Sequence, residues 1–157
     1  TAKTIYAVDD HPQLLEELSR SVRSPALRRI VNHGDDFPGV PDGSVDLVFS
    51  FGTFVHLDAA VIDRYLGNIA PVLRPGADVV IQYSDKTKPL GRQNRTFSDN
   101  DPERMRALVT AHGYEILEED TVSLWHSALM RFRLPQGSGA ASQATSSRKI
   151  GDSWPTQ

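Results

Sequence analysis

Residues 42–50 read DGSVDLVFS. About twenty residues later LRPG (73–76) closes a helical pattern, and VVIQY (79–83) follows it directly. The run VDLVF (45–49) is short, apolar and β-branched, which suits a buried parallel strand. Asp58 stands where an N-cap is expected, and Ile62, Tyr65, Leu66, Ile69 and Leu73 recur on one helical face. Arg74-Pro75-Gly76 stops that helix, and residues 78–83 (DVVIQY) return to strand patterning. Strand, helix, strand in this order predicts a parallel crossover unit.

The same alternation extends to both sides. Residues 4–8 (TIYAV) predict a buried strand that ends in Asp9-Asp10. Asp10 or His11 can cap the next helix, Pro12 suits its first turn, and Leu14, Leu15, Leu18 and Val22 keep helical spacing. Residues 28–32 (RRIVN) predict another strand, followed by the turn-rich GDDFPGVPDGS (34–44). On the C-terminal side comes a polar, basic loop with Lys86, Lys88, Arg92 and Arg95. A helix from about Asp101 to His112 is stopped by Gly113, and two consecutive strands follow, over 114–117 and 123–134. The expectation is an α/β fold: a sheet covered on both faces, mostly parallel, with a C-terminal antiparallel strand pair. One domain over residues 1–135 and a disordered polar tail over 136–157 complete the division.

The chain has 157 residues, 39% hydrophobic and 24% charged, with net charge −3 and no cysteine. Disulfides and thiolate metal sites are thereby excluded, and the acidic balance argues against a generic nucleic-acid or anionic-membrane surface. No apolar run approaches the roughly 18 residues of a membrane span, and no signal peptide is visible, so a cytoplasmic protein is expected. His11, His33, His112 and His126 lack ligand spacing, and no metal site is expected. The chain opens on Thr1 and enters an apolar run at once, which reads as a longer chain cut short.

In an open α/β sheet, ligands sit beyond the carboxyl ends of the strands. Asp9 ends the first strand; a carboxylate there can accept from both hydroxyls of a ribose, although an aspartate at a helix entrance is more often only a cap. After the second strand come Gly34-Asp35-Asp36-Phe37, a carboxylate beside an apolar ring. That pair can hydrogen-bond an adenine amino group and pack on the base, or form an ordinary Asx turn.

The ordered series of an acidic strand end, a GD turn, DGSVDLVFS, and a helix closed by LRPG before VVIQY resembles the class I, Rossmann-like S-adenosylmethionine-dependent methyltransferases. The resemblance runs from about residue 4 to about residue 134. It implies S-adenosylmethionine as cofactor, with Asp9 on its ribose, Asp35, Asp36 and Phe37 near its adenine, and Ser50 and Phe51 beside its methionine part. It implies a methyl acceptor as partner, and the size of the chain favours a small molecule. His56, on the loop after VDLVF, is the candidate catalytic base, against the plainer reading of a histidine packed between Phe54 and Leu57. Tyr83 and Asp85 are weaker candidates, and the basic loop could grip an acidic acceptor or simply be solvated.

Two departures accompany the resemblance: Ala77 replaces the second glycine of LRPGG, and the family's first strand and GxGxG loop are missing. The only G-x-G, Gly137 and Gly139, opens no apolar-striped helix. The missing strand would lie between the strands ending at Val8 and Phe49. The chain is then expected either to be poorly stable or to pair those two strands directly. AVDDHP (7–12) also resembles the acidic start of response-regulator receiver domains, but Ser50 stands where their phosphoacceptor aspartate is needed. A methyltransferase-like binding module without catalysis is a third reading, and an NAD-binding domain finds no fingerprint here.

Overall fold

A computed structural model describes residues 2–135. The tail expected over 136–157 lies outside the described residues. Six strands and four α-helices follow in order: β1 (Ile5–Asp9), α1 (Pro12–Ser21), β2 (Leu27–Val31), β3 (Val45–Ser50), α2 (Ala59–Ile69), β4 (Leu73–Ser84), α3 (Pro89–Gln93), α4 (Pro102–Ala111), β5 (Glu115–Asp120) and β6 (Ser127–Arg133).

The strands form two sheets. β1 and β2 pair in parallel, and the other four lie in the order β3-β4-β6-β5. There β3 is parallel to β4, while β6 is antiparallel to both β4 and β5. The closing strand pair is present, with its second member inserted beside β4.

The core lies on one face of the larger sheet. Val79, Ile81 and Tyr83 of β4 alternate toward it, as do Ala128, Met130 and Phe132 of β6, all nearly inaccessible. Ile62, Leu66 and Ile69 of α2, with Met105 and Val109 of α4, cover them. Each of the buried valine, leucine, isoleucine, methionine and phenylalanine side chains among them contributes about 1.5–3 kcal/mol of hydrophobic stabilisation. Asp101 caps α4 through its carboxylate, which accepts from the Arg104 N–H at 2.8 Å.

The expectation of helices on both faces is corrected. The β3–β4 register places Leu47 and Phe49 with Asp78 and Val80 on the face away from α2, and Leu47 and Phe49 are 57% and 66% exposed. Both crossover helices lie on the core side, and α1 packs on β1 and β2 instead. The helix expected to reach Leu73 ends at Ile69. A 3-10 turn (Ala70–Val72) then leads straight into β4, because Pro71 has no N–H to continue the α-helical ladder. Short helix α3 emerges from the basic loop. Its Gly91 is required by close approach, since a Cβ there would lie 2.0 Å from the Asp85 carbonyl oxygen.

Direct pairing of the strands ending at Val8 and Phe49 does not occur: β1 and β3 belong to different sheets. Between them runs a cleft of about 920 Å³, lined on one side by Ile5, Tyr6 and Val8 and on the other by Val45, Val48 and Ser50. The β1–β2 unit is held off by its own contacts. The Asn32 side chain donates to the Tyr65 hydroxyl of α2 at 2.9 Å, Arg64 of α2 forms an ion pair with Asp35, and Asn68 donates to the Asp35 carbonyl at 2.8 Å.

Candidate functional site

Val8 near the carboxyl end of β1, Ser50 at that of β3 and Phe37 of the turn after β2 line this cleft. Asp9 closes β1, and its backbone oxygen accepts the Asn32 N–H at 3.1 Å, continuing the ladder to β2. One side-chain oxygen of Asp9 accepts the His11 N–H at 2.8 Å, so the residue forms an Asx turn into α1. Its second oxygen has no hydrogen-bond partner among the described residues, and the side chain is 37% exposed. A strand-end carboxylate with one oxygen free suits ribose hydroxyls.

Asp35 and Asp36 are more fully engaged. The Asp35 carboxylate turns to Arg64. Asp36 accepts from the His33 N–H at 2.7 Å and meets His33 Nδ1 at 2.8 Å, and these bonds hold its carboxyl below the usual aspartate range. Phe37 lines the cleft and packs against Tyr65, with centroids 5.8 Å apart, so this turn offers the cleft a ring more than a carboxylate. Ser50 lines the cleft from the end of β3, and the next residue, Phe51, is 57% exposed.

Sequence reasoning missed three polar residues here. Tyr65, read only as part of an apolar stripe, lines the cleft with its hydroxyl on Asn32, and burial pushes its phenol pKa up. Asn32, 4% exposed, was read as a strand end. Gln82, 3% exposed in mid-strand, accepts the Gly52 N–H at 2.8 Å and donates to Ser127 Oγ at 2.7 Å. It thereby fixes the loop after Ser50, where Gly52 has φ +89°. A lone amide inside an apolar strand, as in VVIQY, was the one available signal.

His56 stands on a 3-10 turn (Phe54–His56) that follows the loop after β3. Its ring is exposed rather than packed between Phe54 and Leu57; those neighbours join the core while His56 meets Phe97 edge-on. Tyr83 is buried and donates to Glu119 at 2.6 Å, with its pKa raised mainly by burial. Asp85 is buried and accepts from the Thr87 N–H and hydroxyl. Both serve the fold. The basic loop is neither a solvated surface throughout nor a free anion grip. Lys86 donates to the Gly91 and Asn94 carbonyls, and Lys88 to those of Leu124 and Ser127. Asp9, Asp10 and His11 bring ligand atoms within 4.8 Å of one another, but His11 Nδ1 already bonds Asp10 at 2.5 Å.

Tyr65, Ser50 and Phe37 line the cleft, and Asp9, with one free carboxylate oxygen, directly follows the lining residue Val8; hydroxyls, a carboxylate and a ring are groups that can meet a nucleoside. No helix among the described residues is long and apolar enough to cross a membrane.

A family model described as a methyltransferase domain matches residues 1–81. No curated protein matches the chain. Among solved structures, the chain superposes on an S-adenosylmethionine-dependent methyltransferase from Clostridium acetobutylicum with TM-score 0.70 and 12% identity, covering 85% of this chain and 76% of that one. The PH0226 protein of Pyrococcus horikoshii gives TM-score 0.68 at 15% identity, covering 83% and 71%. The [4+2]-cyclase SpnF gives 0.70 at 16%, covering 87% and 69%. At these identities the superpositions establish the fold, and the family match covers more than half of the chain. The chain therefore belongs to the methyltransferase domain family, the Rossmann-like enzymes that use S-adenosylmethionine as cofactor.

Proposed function

We propose that the chain transfers a methyl group to a small-molecule acceptor whose nucleophilic atom carries a proton, and that the acceptor meets the cofactor at the carboxyl edge of β3 and β4. The observation that carries this reading is the cleft between β1 and β3: Ser50 lines it from one side and Val8 from the other, and Asp9, next after Val8, keeps one carboxylate oxygen free. When bound, S-adenosylmethionine supplies a methyl group already activated on sulfur. The protein's work is then alignment, exclusion of water and, for an acceptor that must lose a proton, a base.

Asp9 would hold the ribose hydroxyls with its free oxygen. Phe37 would pack on the adenine, with Asp35 and Asp36 shaping the turn through Arg64 and His33. Ser50 and Phe51 would flank the methionine part, on a loop held by Gln82. His56, exposed two residues beyond the cleft-lining Phe54, would take the acceptor's proton.

Calorimetric titration of the chain with S-adenosylhomocysteine tests the binding part. Saturable binding is expected, weakened by roughly ten- to a hundredfold in Asp9→Ala, the size of one or two charge-assisted hydrogen bonds. Equal affinity in Asp9→Ala would remove the ribose assignment. No heat at all with the unaltered chain would remove the site.

A further inference from the structure

His56 is held by a strap. The Ser98 N–H donates to the Val55 carbonyl at 2.9 Å, Ser98 Oγ to the His56 carbonyl at 2.7 Å, and the Asn100 amide to the Leu57 carbonyl at 2.9 Å. The fourth link is made by the ring itself: His56 Nδ1 lies 2.8 Å from the Thr96 carbonyl oxygen. A carbonyl oxygen only accepts, so Nδ1 must carry the hydrogen. In the neutral imidazole the lone pair is then on Nε2.

The Thr96 carbonyl is in turn fixed from below. Asn94 Oδ1 accepts from the Thr96 N–H at 3.0 Å and from its hydroxyl at 2.8 Å, closing an Asx turn. Lys86 Nζ anchors that turn by donating to the Asn94 carbonyl at 2.8 Å and the Gly91 carbonyl at 3.0 Å. Phe97 completes the support, its ring edge-on to His56 at 5.4 Å and to His126 at 5.3 Å. A lysine from the end of β4 thus reaches a histidine after β3 through one asparagine and one turn.

We propose that Lys86 and Asn94 are positioning residues that lock His56 in the Nδ1–H tautomer, leaving Nε2 as the lone-pair nitrogen for the acceptor's proton. This rests on His56 acting as the base. The acceptor class that needs such a nitrogen is a hydroxyl, phenol or ring N–H. The proton passes from that heteroatom to Nε2, its electron pair stays on the heteroatom, and His56 becomes cationic with Nδ1–H still on the Thr96 carbonyl.

The tautomer can be read without cofactor or acceptor, from long-range ¹H–¹⁵N correlations of the His56 ring in the chain as it stands. The Nδ1–H form is expected to predominate. Asn94→Ala, with its backbone amide spectrum as the folding control, is expected to lower the Nδ1–H to Nε2–H ratio roughly fivefold, the equivalent of one net hydrogen bond. Asn94→Asp, which keeps the acceptor oxygen, is expected to restore it, and Lys86→Met to give a smaller fall. A predominant Nε2–H form in the unaltered chain, or an unchanged ratio in Asn94→Ala, overturns the strap. A separate measurement addresses the base: His56→Gln is expected to lower kcat by roughly 10²–10⁴-fold at little cost in cofactor affinity. If the tautomer is as stated and His56→Gln is fully active, the strap is only structural and the positioning role falls.

Discussion

The two sheets are built by different physics. In β3-β4-β6-β5 the decisive side chains are apolar and nearly inaccessible, from Ile62 and Leu66 on α2 to Phe132 on β6. In the β1–β2 unit only Leu15 is comparably buried among the large apolar residues, and Ile5, Leu14, Val22 and Val31 are 43–54% exposed. What ties that unit to the rest is largely polar, Asn32 to Tyr65, Asp35 to Arg64 and Asn68 to the Asp35 carbonyl, beside the ring contact of Phe37 on Tyr65. The carboxylates proposed to face the cofactor therefore stand on the lightly anchored unit, and the candidate base stands on the densely packed one. The cleft between them is where a small relative displacement would change the site most.

The largest expected effect sharpens this contrast. Leu66→Ala removes a fully buried side chain from the centre of the core and is expected to cost about 2–5 kcal/mol, read as a lowered midpoint in urea unfolding. Leu14→Ala, at a position 54% exposed on α1, is expected to change the midpoint little. Equal losses from the two substitutions would break the comparison.

A smaller effect concerns the polar tie. Asn32→Ala deletes the donor to Tyr65 and is expected to cost about 1 kcal/mol, confined to the β1–β2 unit. Amide hydrogen exchange should then speed up in residues 5–9 and 27–31 while the amides of β4 and β6 stay protected. Uniform acceleration across both sheets would show that the unit does not open separately.

The smallest effect separates the regions by pH. Asp120, the last residue of β5, accepts the Ser123 and Val122 N–H groups, and these hold its carboxyl at about 2, below its ordinary 3.8. Its contribution is present above 3.8 and is lost as pH falls toward 2. Asp36 in the other region is lowered in the same sense by His33. His11 runs the opposite way: Asp10 raises its pKa, so its contribution is full below 6.5 and fades as pH rises through the higher folded value. Carboxyl and imidazole NMR titrations check all three. An Asp120 midpoint near 3.8 would contradict the backbone bonds drawn to it.

Much of the fold was legible in the chain because period and punctuation are local properties. The runs at 4–8, 28–32 and 45–49 became strands with bounds shifted by a residue or so, and the helix expected from about Asp101 became α4, with Asp101 as its cap. Short α3 was hidden inside a basic loop, since five residues carry too little periodicity to read. The end of α2 was misjudged because Leu73 continues the apolar stripe, while Pro71 breaks the ladder two residues earlier.

The candidate site divides in the same way. Asp9, Ser50 and His56 could be named from their places after strands, a matter of chain order. Tyr65, Asn32 and Gln82 could not, because what makes them matter is a partner 33 or 30 residues away. The inward turn of Lys86 and Lys88 was equally unreadable: a lysine's charge is written in the sequence, but the carbonyls that receive it are assembled only by folding. Order along the chain determined the alternation of elements, the family pattern and the acidic strand ends. Only the tertiary structure decided that β1 and β3 stand apart across a cleft, that Leu47 and Phe49 are exposed among the described residues, and which nitrogen of His56 holds its proton. Those outcomes depend on which distant groups meet, and no local pattern encodes that.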